Sequence, residues 1–72
     1  MEKLHIGSLI RAKLAEKGLT VTWLARQMPC SRTNIYKMFD RPSIDTATLW
    51  RLSEIIGYDF FAALSDALRA GE

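Results

Sequence analysis

Side chains that could recognise a ligand are concentrated between residues 31 and 41. They can donate or accept hydrogen bonds: Ser31, Arg32, Thr33, Asn34, Tyr36, Lys37 and Arg41. A helix turns about 100° per residue. With Ile35 at the centre of a buried face, Met38 and Phe39 point inward, and the exposed surface is Arg32, Thr33, Asn34, Tyr36 and Lys37. Such side chains suit base edges and phosphates in a major groove, which admits one helix. The alternative is an ordinary solvated helix face.

The sequence lacks the residues that a metal site or a catalytic site would need. His5 is the only histidine and Cys30 the only cysteine, so a zinc site would lack ligands. A hydroxyl nucleophile needs a base within reach, and His5 is not obviously placed for one. We therefore expect no enzyme activity, metal, cofactor or small-molecule substrate. We interpret Cys30 as a small filler of a turn, with redox sensing as the alternative.

The residues before this surface predict a short helix. Val21, Leu24 and Met28 recur at spacings of three and four, which places them on one stripe of a helix over Val21–Met28. Thr20 is a good N-cap for it. Pro29 ends it, because proline lacks an amide proton and biases the preceding residue away from helical dihedral angles.

Another helix, the third of the chain, follows this break. The hydroxyl of Ser31 can accept from the free amides of Thr33 or Asn34 and so begin a helix over residues 31–39. It should end by Asp40, because the next residue precedes Pro42. The two helices and their turn together have the form of a helix-turn-helix.

The rest of the chain predicts three further helices and no strand. Their expected ranges are Lys3 to Lys17, Thr46 to Ile56 and Phe60 to about Arg69. Asp45 and Asp59 are predicted N-caps, and Gly18 and Gly57 are predicted to end helices. The fold class is thus all-α, a compact five-helix single domain over residues 1–72 with its core in 4–68 and frayed ends.

Composition favours a folded cytoplasmic protein. Hydrophobic residues make up 49% and charged residues 25% of 72 residues. One cysteine precludes an internal disulfide, and no segment is apolar enough for a membrane span. The net charge is +2, but residues 1–41 carry +5 and the remainder −3. The basic part contains the helix-turn-helix, as expected of a module that binds phosphates.

The run from Ile6 to Leu64 resembles the lambda-repressor-like helix-turn-helix family, the Xre and Cro type of small phage and bacterial regulators. The resemblance rests on Leu19-Thr20, on Leu24-Ala25, on the run from Ser31 to Ile35, and on Leu49 to Gly57. It implies a sequence-specific, repressor-like regulator of transcription that binds double-stranded DNA with its third helix. The family's base contacts would fall on Arg32, Thr33 and Lys37, with Tyr36 near by, and its phosphate contact on Thr20. Asn34 and Arg41 are further expected phosphate ligands, with Arg11, Lys13 and Arg26 as weaker ones.

The chain departs from the family pattern at several positions. Val21 replaces a common glutamine, and Pro29 replaces the usual glycine of the turn. An Arg–Glu pair between the first and third helices is replaced by Leu14 and Phe39. We predict that these two side chains touch, an apolar contact that avoids the desolvation of two buried charges.

Apolar residues late in the chain suggest an interface. Trp50 should lie away from the core, and the fifth helix carries more apolar surface than a core of this size requires. These residues form a candidate dimer interface: Trp50, Phe60, Phe61, Leu64 and Leu68. We expect a homodimer. The main alternative function is a protein interaction module with no DNA role, and another is a nonspecific basic binder.

Overall fold

The computed structural model describes residues 4–71, and its regular secondary structure there is entirely helical. The five helices are α1 (Ile6–Glu16), α2 (Val21–Gln27), α3 (Arg32–Phe39), α4 (Thr46–Ile56) and α5 (Phe60–Ala70). The all-α prediction is confirmed, and α4 has the predicted bounds. No helix in the described residues has the length and apolar character needed to cross a membrane.

Short polar side chains begin the last four helices, as the sequence predicts. Each accepts a hydrogen bond from the backbone N–H three residues later, which satisfies one of the free amides of the first turn. The pairs are Thr20 with Trp23 at 3.0 Å, Ser31 with Asn34 at 3.2 Å, Asp45 with Thr48 at 2.9 Å and Asp59 with Ala62 at 2.9 Å. Local chemistry therefore fixes where these helices start.

Glycines end α1 and α4. Gly18 has φ 70° and Gly57 has φ 76°, in the left-handed region that costs glycine little. At the end of α2 the Cys30 N–H donates to the Ala25 carbonyl at 3.1 Å, across Pro29. Pro29 thus lies at the position of the turn where glycine is usual, and the hydrogen bond from Cys30 still closes the turn.

The start of α1 differs from the prediction. The predicted first residue, Lys3, lies outside the described residues, but Leu4 and His5 are not helical. His5 is the N-cap: its Nδ1 accepts from the Ser8 N–H at 3.1 Å. The amides of Ile6 and Gly7 donate to the carbonyls of Pro42 and Arg41, at 3.1 and 2.9 Å. Because these amides bond to a distant loop, the helix does not extend toward Lys3.

Gly7 allows α1 to approach the end of α3 closely. A Cβ at this position would lie 2.3 Å from the Phe39 carbonyl oxygen and 2.5 Å from that of Met38. Only a residue without a side chain fits there. The close approach and the two backbone hydrogen bonds to residues 41 and 42 fix the carboxyl end of α3 against α1.

One core joins all five helices. The buried hydrophobic residues are Ile6, Ile10, Leu14, Leu24, Ala25, Ile35, Met38, Phe39, Leu49, Leu52, Ile56 and Phe60. Leu14 and Phe39 both belong to it, and the Arg11 guanidinium carbon lies 5.8 Å from the centroid of the Phe39 ring. Direct contact between Leu14 and Phe39 stays a prediction.

The fifth helix is anchored at its first residue. Phe60 is fully buried, so its assignment to a dimer interface is wrong: the ring fills the core of a single chain and contacts Tyr58 edge to face at 5.0 Å. Phe61 and Leu64 are half-buried, and Leu68 is 74% exposed. The helix also continues to Ala70, one residue beyond its predicted end.

Candidate nucleic-acid interface

The third helix has one buried face and one polar face. Ile35, Met38 and Phe39 are 1%, 9% and 5% exposed and pack it against the core. The remaining side chains from Arg32 to Lys37 are all exposed: Arg32, Thr33, Asn34, Tyr36 and Lys37. This matches the division predicted from a turn of about 100° per residue. We call these five exposed residues the polar face of α3.

Helices α1 and α2 both pack against α3 and hold it in place. Ala25 of α2 is buried and, like Leu24, belongs to the same core as Ile35. A small side chain at this position lets another helix approach closely. The polar face therefore lies on a helix that two others hold in place, so binding a ligand would not require the backbone of α3 to become ordered.

Tyr36 is oriented by its neighbour in the same helix. Its ring meets the Phe39 ring edge to face, with centroids 6.0 Å apart and planes at 85°. The side chain is nevertheless 53% exposed. A buried aromatic residue thus restrains the exposed one, as suits a side chain that presents a hydroxyl group to a partner.

A cleft of about 210 Å³ lies beside this face and is lined by polar and apolar residues of the turn before α3, of α3, of the following loop and of α4. Asn34, Lys37 and Arg41, which the sequence predicts as DNA ligands, all line it. Asp45 and Thr48 line it as well. The sequence did not predict that these two residues of the α4 start would lie near the expected DNA ligands. The cleft is therefore of mixed charge, with two cations and one carboxylate.

Asp45 is held by its own helix. The Thr48 N–H donates to its carboxylate at 2.9 Å, and the Thr48 hydroxyl donates to the same oxygen at 2.9 Å. The backbone hydrogen bond first, then the hydroxyl and the nearby charge of Arg41, lower the pKa of Asp45 below its ordinary value. Asp45 is therefore ionised at neutral pH and partly offsets the positive charge of the cleft.

The two capping hydroxyls at the starts of α2 and α3 can still donate a hydrogen bond. Thr20 and Ser31 are both exposed, and each uses a lone pair of its oxygen to accept a backbone N–H. A hydroxyl group that accepts retains its proton for another acceptor. Both residues could therefore donate to a phosphate oxygen without losing their structural hydrogen bond.

Two lysines, one in α1 and one directly after it, point away from the polar face of α3. Lys13 Nζ contacts Glu16 at 3.0 Å and lies 4.4 Å from the centroid of the Tyr58 ring, so it faces the turn between α4 and α5. Lys17 Nζ donates to the Gly57 carbonyl at 3.0 Å. The suggestion that Lys13 binds phosphate is weakened, because its ammonium group already has these partners. Arg11, Arg26 and Arg41 are exposed.

Cys30 lies in the turn between α2 and α3. It is a half-buried free thiol and lines the cleft beside α3. Among residues 4–71, no group of three or more His, Cys, Asp or Glu side chains could hold a metal ion.

Comparisons with protein-family models, with curated proteins and with solved structures give no match to this chain.

Proposed function

We propose that this protein is a sequence-specific transcriptional regulator that binds double-stranded DNA in the major groove through the polar face of α3. The observation that carries the proposal is the two-sided character of that helix. Three apolar residues hold it in the core, while five neighbouring residues expose hydrogen-bonding groups, two of them cationic and none acidic. On this proposal the five-helix arrangement is the lambda-repressor-like fold, with α2 and α3 as its helix-turn-helix.

The exposed side chains divide by reach and chemistry. Arg32 and Lys37 can donate to guanine acceptors, and Thr33 and Tyr36 to a range of base edges. These four are assigned to base contacts. The other four are assigned to phosphates. Thr20 and Ser31 are capping hydroxyls with a proton to donate, and Asn34 and Arg41 line the cleft beside α3.

Charge supports this orientation. Residues 20–41 hold Arg26, Arg32, Lys37 and Arg41 against the single acid Asp40. The part of the chain after residue 41 has a net charge of −3, so its surface is repelled by a phosphate backbone. The field of the protein thus favours approach of DNA to the helix-turn-helix.

A dimer would give such a module useful affinity, because one helix reads only a few base pairs. A two-fold dimer places half-sites about 34 Å apart, one helical turn of DNA. Leu64 and the strongly exposed Leu68 on the outer part of α5 are the residues that we propose for the contact between the two chains.

Selection of bound sequences from a random DNA pool, with the purified chain, tests the proposal. We expect an enriched sequence, with log affinity falling steeply as log salt concentration rises. Enrichment of no sequence together with a salt slope would instead identify a nonspecific basic binder.

Two substitutions then locate the contacts. Arg32→Ala and Lys37→Ala should each weaken specific binding by roughly 1 to 3 kcal/mol per lost base contact. Arg51→Ala is the matched control, because it also removes one positive charge from an exposed helix position, but in α4. Unchanged affinity and salt dependence in both α3 variants would exclude α3 as the DNA-binding helix.

The alternative of a protein interaction module has its own observation, since Trp50 is 61% exposed. An apolar protein interface lacks the steep salt dependence of phosphate contacts, so the same titration separates the two functions.

A further inference from the structure

A groove of about 500 Å³ lies between α4 and α5 and includes no residue of the helix-turn-helix. It has the size of a typical ligand pocket. Trp50, Tyr58 and Phe61 supply aromatic rings to its wall, and Glu54 and Asp59 supply carboxylates. The combination of aromatic rings and acids, without a base among the lining residues, is the observation that needs an explanation.

Trp50 is the most unusual of these residues. Its ring lies against Phe61, with centroids 6.0 Å apart and planes tilted by 59°, yet 61% of the side chain remains exposed. The packing holds the indole in place without covering it. An exposed tryptophan that is oriented by a neighbour offers a π face for a ligand, and tryptophan is the best aromatic acceptor of a cation.

The carboxylates of the groove can accept further hydrogen bonds. Asp59 accepts the Ala62 N–H through Oδ1 at 2.9 Å, which leaves its other oxygen for a further donor. Glu54 is exposed on α4, one helical turn after Trp50. Residues four apart lie on the same side of a helix, so the carboxylate and the indole can face one ligand together.

Two lysines near the groove, Lys13 and Lys17, already have partners. Lys13 lies over the Tyr58 ring and bonds to Glu16, and Lys17 bonds to the Gly57 carbonyl. Neither is a lining residue of the groove. The contact of Lys13 shows that a ring in this wall takes a cation over its face, while the indole of Trp50 has no such partner among the described residues.

We infer that this groove binds an arginine-bearing peptide segment of a partner protein, with the guanidinium group over the Trp50 ring and within reach of Glu54 and Asp59. Arginine is favoured over lysine, because its planar group stacks on aromatic faces and donates to carboxylates in pairs. The Phe61 ring, which also lines the groove, accommodates the adjoining aliphatic part of the segment.

Charge disfavours a second copy of this chain as the occupant. A two-fold contact through the groove would bring the acids of two identical surfaces together, and like charges repel. The outer part of α5 lacks this problem, since Asp66 there is paired with Arg69 at 2.6 Å. A dimer contact at Leu64 and Leu68 is therefore compatible with a peptide in the groove.

The inference is independent of DNA binding, because no residue of α2 or α3 lines the groove. A failure to bind the peptide would leave the proposed DNA-binding function unaffected. A failure to bind DNA would likewise leave the peptide-binding inference unaffected. The two experiments use different ligands and different variants.

The test uses the full chain and three synthetic eight-residue peptides that alternate leucine with arginine, glutamine or glutamate. The readout is the NMR signal of the tryptophan indole N–H groups. Trp50 and Trp23 are the only two tryptophans, and Trp23 belongs to α2, so it serves as an internal reference. We expect the arginine peptide to shift the Trp50 signal alone, in a saturable and salt-sensitive manner.

Substitutions identify the groups responsible. The double variant Glu54→Gln, Asp59→Asn should weaken arginine peptide binding by about fivefold, as expected for two exposed charge pairs. Asparagine retains the N-cap of α5. Asp66→Asn is the matched control, since it removes an acid of α5 outside the groove, and it should leave the affinity unchanged.

Several results would overturn the inference. Equal shifts with arginine and glutamine peptides would exclude recognition of the cation. Equal shifts of Trp23 and Trp50 would exclude the groove as the site. A Trp50 signal that moves with protein concentration alone would identify the groove as a contact between two copies of the chain.

Discussion

Replacement of Gly7 by alanine tests the packing that positions α3. The added Cβ would lie 2.3 and 2.5 Å from the carbonyl oxygens of Phe39 and Met38, where ordinary contact begins at about 3.4 Å. The obstructing atoms are backbone, so no side chain can rotate away. Helices α1 and α3 must therefore separate by about 1 Å at this point.

The energetic cost follows from that displacement. Overpacking of a close contact costs about 1 to 3 kcal/mol. Separation also stretches the hydrogen bonds from Ile6 and Gly7 to the loop after α3, each of which contributes about 1 kcal/mol. Alanine regains at most about 1 kcal/mol through its higher helix propensity. We expect a net loss of about 2 to 4 kcal/mol.

Such a loss is large for this chain. At 0.05–0.15 kcal/mol per residue, a domain of 72 residues has a free energy of unfolding of about 4 to 11 kcal/mol. The midpoint of thermal unfolding, followed by circular dichroism, should fall by roughly 10 to 25 °C.

Two other substitutions calibrate the result. Gly18→Ala meets no atom within 4 Å but must adopt φ 70°, so it should cost only about 1 to 2 kcal/mol of backbone strain. Ala12→Gly, at an exposed position of α1, measures helix propensity alone and should cost about 1 kcal/mol. If Gly7→Ala were as stable as the wild-type chain or more so, propensity would outweigh packing, and α1 would not approach α3 as closely as described.

Two further predictions concern the helix caps. Ser31→Ala should destabilise the chain by about 1 kcal/mol, because the Asn34 N–H loses its acceptor. Ser31→Asp should restore the cap but weaken DNA binding, since a carboxylate replaces a phosphate donor; equal affinity of the Asp variant and the wild-type chain would remove Ser31 from the interface. The capping hydrogen bonds lower the pKa of Asp45 in the folded state, so its contribution to stability is present above its ordinary pKa of 3.8 and is lost as the pH falls through the lower folded value. Asp45→Asn lacks this titration, and the difference in unfolding midpoint between the two proteins should shrink below pH 3.8; a constant difference down to strongly acidic pH would contradict the assigned hydrogen bonds.

The sequence predicted well what depends on neighbours in the chain. The caps at Thr20, Ser31, Asp45 and Asp59 act across three residues, and the glycines that end α1 and α4 act within one turn. The division of α3 into a buried and a polar face follows from helix geometry and its apolar residues. These interactions need no knowledge of the rest of the fold.

Contacts between distant residues were decided by the tertiary structure. The amides of Ile6 and Gly7 bond to carbonyls more than 30 positions away, which moves the start of α1 to a histidine cap. Lys13 faces Tyr58 and not the polar face of α3. Phe60 and Leu68 have the same apolar character in sequence, yet one is fully buried and the other 74% exposed.

The polar face of α3 was thus determined by the sequence itself, because helical periodicity assigns each of its side chains to a side. The surroundings of that face were not. Which acid enters the cleft beside Lys37, and which aromatic ring stays uncovered between α4 and α5, depend on how helices far apart in the chain pack. Periodicity fixes direction within one helix, whereas only packing between helices fixes what each side chain meets.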